Sequence, residues 1–174
     1  MGPRDHLARL YPEVRAYARS LARDRAAAED LAGDAMVRAL VHPSAPAEEA
    51  RLRPWLLRTV RNLHIDRWRA ERVRRDHAAT EYAGAGERVS GEGVASAEDG
   101  ALGRMAFARL SAEHREVLVL VDVLGHSYAE AAALIGVPRG TIMSRVARAR
   151  AAMTGRVLGV PGDKKGCGNG ERDG

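Results

Sequence analysis

The chain has a single cysteine, Cys167, among its 174 residues. One thiol excludes an internal disulfide and a multi-cysteine zinc site. Aromatic residues are only 4% of the chain, so any core must be built mainly from Leu, Val, Ala and Met. The longest apolar stretch, residues 117–124, is interrupted by Asp122. It is far short of the roughly 18 residues that span a bilayer, so no stable membrane insertion is expected. The first ten residues carry Arg4, Asp5 and Arg9 and no apolar run, which argues against a secretory signal and predicts a cytoplasmic protein. No P-loop, no nucleophile–base–acid set and no metal-ligand cluster stands out. The six histidines are scattered. The sequence therefore predicts no catalytic residue, no metal and no cofactor: the chain binds and is not an enzyme.

Lysine is nearly absent too. Lys164 and Lys165 are the only two among 28 basic residues. The rest are arginines, whose planar fork suits phosphates and guanine edges. The net charge is +5, and it is unevenly spread. Residues 51–75 hold nine arginines against Asp66 and Glu71, a net of +7. Residues 76–101 hold six acids against Arg88, a net of −5. Residues 139–156 hold five arginines and no acid. The acidic stretch carries five glycines and no apolar periodicity, so it reads as a flexible linker. Lying between two basic segments, it also predicts a compact free chain with the linker against one arginine face. Residues 156–174 are Gly-rich and polar, and read as a disordered tail.

Apolar residues elsewhere recur at steps of three and four, the helical period. Leu7, Leu10, Val14, Tyr17 and Leu21 predict a helix over 6–22. Leu31, Met36, Val37 and Leu40 predict one over 26–41. Two prolines make residues 42–46 a loop. Pro54 suits the first turn of a third helix reaching about residue 75. Residues 102–110 form a short helix, and Ser111 caps the next, which carries Val117, Leu118, Leu120 and Val121. No segment alternates with period two for long. The fold class is all-α: two small helical domains, residues 4–75 and 102–155, joined by the linker 76–101 and followed by the tail.

The sharpest local signal is Ser127-Tyr-Ala-Glu130, the pattern of a capping box. It opens a short helix that Gly136 can end in the left-handed conformation. Pro138 starts a second helix, to about residue 153. A short helix, a Gly-centred turn and an Arg-bearing helix make a helix-turn-helix. On the second helix Ile142, Val146, Ala149 and Met153 face inward, while Thr141, Ser144, Arg145 and Arg148 form one polar face. The third helix has a comparable stripe of Arg58, Arg61, Asn62, Arg69 and Arg72, suited to phosphates and exposed base edges. Leu56, Leu57, Val60, Leu63 and Trp68 form its core side. The second helix instead offers Asp30 and Asp34 beside apolar residues, which suits a basic or helical partner.

Several motifs occur in a telling order. Ala28-Glu29-Asp30-Leu31 is followed by Trp55-Leu56 and Arg61-Asn62-Leu63. Then come Asp66-Arg67, Leu110-Ser111, Arg115-Glu116-Val117-Leu118 and Ser127-Tyr128, and finally Gly140-Thr141-Ile142, Ser144-Arg145 and Arg148-Ala149-Arg150. Over residues 5–155 this closely resembles the bacterial extracytoplasmic-function sigma factors. The resemblance implies a region 2-like helical bundle, a region 4-like helix-turn-helix, and transcription initiation with core RNA polymerase on promoter DNA, double-stranded and melted. An anti-sigma factor is the implied controlling partner. It assigns Asp30, Leu31, Asp34, Val37 and Arg38 to polymerase docking. It assigns Arg58, Arg61, Asn62, Asp66 and Arg69 to the minus-ten element, with Asn62 at a flipped base. It assigns Ser127, Arg139, Thr141, Ser144, Arg145 and Arg148 to the minus-thirty-five element. Three features depart from the family pattern: Met143 stands where a basic residue is usual, residues 42–50 lack the usual aromatics, and the usual extra helix ahead of the first is missing or cut short. From the residues alone, a stand-alone helix-turn-helix regulator and a helical adaptor remain open. The basic first module argues against a small-molecule sensor, and two arginine faces argue against an adaptor.

Overall fold

The computed structural model describes residues 3–79 and 98–157, and those residues contain no strand. Seven α-helices occur in order: α1 (Pro3–Leu21), α2 (Arg25–Val41), α3 (Glu49–Ala79), α4 (Glu98–Ala108), α5 (Ala112–Leu118), α6 (Tyr128–Ile135) and α7 (Arg139–Val157). A π-helical turn, Val119–Val123, continues α5. Of the expected linker, the last turn of α3 and the first of α4 take helical form; its remaining residues, 80–97, lie outside the described residues. So does the expected tail beyond residue 157.

Local chemistry sets most helix ends. Asp24 caps α2 by accepting from the Ala27 N–H at 2.8 Å, which satisfies one of the orphan donors of the first turn. Ser111 does the same for α5 through the His114 N–H. The capping box at α6 is complete in both directions, and Gly136 ends that helix at φ 79°, a conformation that a Cβ disfavours.

Three sequence expectations change. Helix α3 starts at Glu49, not at Pro54, which sits inside it. The extra turn buries Leu52 to 2% exposure and sets the Glu49 carboxylate against His6 and Arg9 of α1, at 2.6 Å each. Trp68 lies at the edge of the core side and is 48% exposed. The Arg72 guanidinium lies 5.5 Å from its ring centre, a cation–π contact that half covers the indole without burying it. The helix expected through residues 117–121 is α-helical only to Leu118 and then becomes a π turn, where the Leu124 N–H donates to the Val119 carbonyl. Such a turn adds a residue to the helical repeat and changes the direction of the side chains that follow.

Helices α1, α2 and α3 pack on one another around Leu10, Val14, Tyr17, Leu31, Leu56, Leu57 and Val60. Helices α5, α6 and α7 pack around Val117, Leu120, Ala131, Ile142, Val146 and Ala149. The two groups also pack together, through α5 on α1 and α6 on α3. Their junction is polar at its centre. The Glu116 carboxylate, buried on α5, accepts from the Tyr17 hydroxyl at 2.8 Å and from the Arg61 Nε at 3.0 Å. The Arg115 Nε donates to the Ser20 carbonyl, and Arg53 on α3 reaches the Leu124 carbonyl at 2.7 Å. Among the described residues these contacts hold the two modules together; the expected contact of the acidic linker with an arginine face lies outside the described residues.

Candidate nucleic-acid interface

Helix α3 presents Arg58, Asn62, Asp66 and Arg69 to solvent. Arg61, expected on the same stripe, is half-buried and committed to Glu116. The stripe is interrupted because Arg61 turns toward the Glu116 carboxylate of α5, 3.0 Å away.

The stripe ends at a cavity of about 290 Å³ lined by Arg38, His42, Trp55, Arg58, Thr59 and Asn62. It lies where the C-terminal end of α2 meets the second turn of α3. The His42 N–H caps α2 by donating to the Arg38 carbonyl. Its Nδ1 accepts from the Ser44 backbone N–H, which leaves the proton of a neutral imidazole on Nε2. The His42 and Trp55 rings are 6.0 Å apart and tilted by 55°. The Thr59 hydroxyl is occupied by the Trp55 carbonyl at 2.8 Å. The free groups are therefore two guanidinium forks, one carboxamide and two aromatic rings. Rings that can stack and forks that can donate are the chemistry that holds an unpaired base. His42 was given no role from sequence, and Trp55 entered only as part of the Trp55-Leu56 motif. The spacing of Trp55, Arg58, Thr59 and Asn62 at helical steps is the signal that could have found them.

On α2, Asp30, Asp34, Val37 and Arg38 are exposed, and Leu40 and Val41 extend the face at 57% and 72% exposure. Leu31 does not belong to it. It is 1% exposed and packs in the core, so it can only support the face from beneath. Asp34 pairs with Arg67 of α3, and Arg38 turns to the cavity.

The helix-turn-helix is formed by α6 and α7. Arg139, Ser144 and Arg148 are exposed and Thr141 is half-exposed. Arg148 folds back along its own helix, donating to the Ser144 carbonyl and hydroxyl at 3.2 Å. Arg145 is drawn aside, its guanidinium 3.2 Å from Glu113 of α5 and its side chain only 20% exposed. Arg150 is held by both oxygens of Asp122. Ser127 is exposed, but its hydroxyl serves the Glu130 cap. The Ser127 N–H and hydroxyl in turn hold the Glu130 carboxyl below the ordinary range. Among the described residues no group of three or more metal-ligating side chains converges, and no helix is long and apolar enough to cross a membrane.

A helix-turn-helix beside a second helical module with a basic stripe and a cavity of guanidinium, carboxamide and ring groups defines a DNA-binding helical protein. The comparisons with known proteins agree. The Sigma-70 region 2 model matches residues 7–74, and the Sigma-70 region 4 model matches residues 104–153. The ECF RNA polymerase sigma factor SigL of Mycobacterium tuberculosis is 37% identical over 131 residues, covering 75% of this chain and 74% of that protein. EcfG of Rhodopseudomonas palustris is 34% identical over 151 residues, covering 87% and 82%. The sigma factor RpoE of Bartonella quintana, solved in complex with the anti-sigma factor NepR, superposes with a TM-score of 0.69 at 30% identity, covering 90% of this chain and 96% of that one. The chain belongs to the extracytoplasmic-function RNA polymerase sigma factors.

Proposed function

We propose that the chain binds core RNA polymerase in the cytoplasm and directs it to promoters, acting by binding and catalysing nothing itself. Residues 4–75 dock on the polymerase through the α2 face of Asp30, Asp34 and Val37, with Leu31 beneath it. The same module reads the melted minus-ten element. Arg58 and Arg69 bind phosphates, Asp66 borders the stripe, and the cavity beside Asn62 takes one unpaired base between Arg38, Arg58 and the rings of His42 and Trp55. Arg61 joins this surface once the second module moves away. Residues 102–155 read the minus-thirty-five element through Arg139, Thr141, Ser144 and Arg148. Arg145 and Ser127 hold the helices that carry those groups. The compact packing of the two modules suits control by an anti-sigma factor, the kind of partner bound by RpoE.

The cavity is the observation that carries this reading, because a duplex-only regulator has no use for a pocket of base-binding groups. The test is permanganate reactivity of promoter thymines with core polymerase and the purified chain. Wild type should expose unpaired thymines at the minus-ten element. Asn62→Ala together with Trp55→Ala should abolish that signal while binding to core polymerase persists. DNA binding that neither needs nor responds to core polymerase would instead support a stand-alone regulator.

A further inference from the structure

Helix α7 turns a strip of small residues outward. Its buried stripe is Ile142, Val146 and Ala149. Opposite that stripe lie Gly140, Ser144, Ala147 and Ala151, all exposed. Nothing stands within 4 Å of where a Cβ on Gly140 would be. Side chains this small let a helix axis come close to whatever it faces. Met143 borders the strip on one side at 48% exposure, and Arg148 borders it on the other. The other two arginines of the helix middle face elsewhere, since Arg145 is paired with Glu113 and Arg150 with Asp122. Those two ion pairs join α7 to α5 and the π turn, while the buried stripe sets its rotation. The outward surface is thus a shallow floor with an arginine fork along one edge and a flexible thioether along the other.

A methionine side chain has no donor and is a poor acceptor. Near the first turns of a helix that enters the major groove, it can gain only by covering apolar surface. The base edges of that groove carry one such group, the C5-methyl of thymine. We propose that Met143, with Ala147 beside it, reads a thymine methyl in the minus-thirty-five element, making it a specificity-determining residue of this chain. At this position the chain carries a group that discriminates by apolar contact and not by charge. The proposal rests on α7 being the minus-thirty-five helix.

The test uses the full chain assembled with core polymerase. A tight promoter is first selected from a library randomised over the minus-thirty-five region. Each thymine there is then replaced in turn by deoxyuridine, which removes only the methyl. At one or two positions wild type should lose about fourfold in affinity, the worth of one buried methyl group. Met143→Ala should bind the parent promoter less tightly by a similar factor and no longer distinguish thymine from deoxyuridine there. Met143→Leu should restore the distinction. The thermal midpoint should not move, because the side chain is half-exposed. Deoxyuridine without effect at every position, while Arg148→Ala still weakens binding to that promoter, would overturn the methyl contact and leave the helix assignment standing. Indifference to both the minus-thirty-five sequence and Arg148→Ala would overturn both.

Discussion

Glu116 is the residue on which the two modules meet. A buried carboxylate is costly unless charge and hydrogen bonds compensate it, and here Tyr17 and Arg61 supply both. Burial, and then the Glu116 charge, raise the Tyr17 pKa well above its usual range, so its hydroxyl stays protonated as a donor. Removing the carboxylate leaves a buried hydroxyl and a half-buried guanidinium without their acceptor. Glu116→Ala should therefore lower unfolding stability by about 2–4 kcal/mol, read by urea denaturation. Tyr17→Phe, which removes one hydrogen bond and no charge, should cost about 1 kcal/mol. Equal stability of wild type and Glu116→Ala would mean that the junction rests on apolar packing alone.

At the scale of the element, the helix-turn-helix is held by its ends. Helix α6 is only eight residues long, too short to persist by propensity. The Ser127–Glu130 box and the left-handed Gly136 set its start and its exit toward α7. Ser127→Ala should cost about 1 kcal/mol, the usual worth of an N-cap, and Gly136→Ala about 1–2 kcal/mol for a Cβ at positive φ. Thermal melts check both. If Ser127 acts on DNA only by holding α6, then Ser127→Thr, which keeps the cap, should bind promoter like wild type. A weakened Ser127→Thr of unchanged stability would show that the hydroxyl touches DNA itself.

Over the whole molecule, the two apolar clusters and the junction form one continuous buried body. The chain should unfold in a single calorimetric transition, and Glu116→Ala should broaden or split it. The midpoint should also depend on pH near neutrality. Burial holds the imidazoles of His64 and His126 below their ordinary pKa, helped by Arg61 for the first and by Arg53 for the second. A hydrogen bond with the Leu124 backbone, and then the charges of Glu130 and Glu13, oppose that shift at His126. Its Nδ1 is buried without a partner. The unfolded chain binds these protons at about pH 6.5, while the folded chain resists them to lower pH. Stability is thus full above about 6.5 and falls as the pH drops from there toward the folded values. His126→Gln should flatten part of that slope, measured as the midpoint at pH 7.5 and 5.5. The Arg-held Glu29 and the His6- and Arg9-held Glu49, both with lowered pKa, add their loss only in stronger acid.

Short-range rules were enough for much of this protein. The period of Leu7 to Leu21, the caps at Ser111 and Ser127, and Gly136 are read within a few residues, because helix formation and capping are decided by neighbours three and four apart. The same rules made the all-α class and the helix-turn-helix legible before any fold. They named the inward faces of α3 and α7 but could not say how far along a helix, or how far around it, neighbours cover the surface. Leu31 looked like part of a surface and is core, because α2 is covered from two sides. Trp68 looked like core and is half-exposed, since α3 outruns the helices that pack on it. Arg61 and Arg145 read as arginines facing DNA, yet each meets an acid 32 to 55 residues away. Those meetings are long-range charge pairings that only the packing of α5 brings about. The same packing builds the cavity from the end of α2 and the start of α3, and leaves Met143 facing outward between the braced arginines.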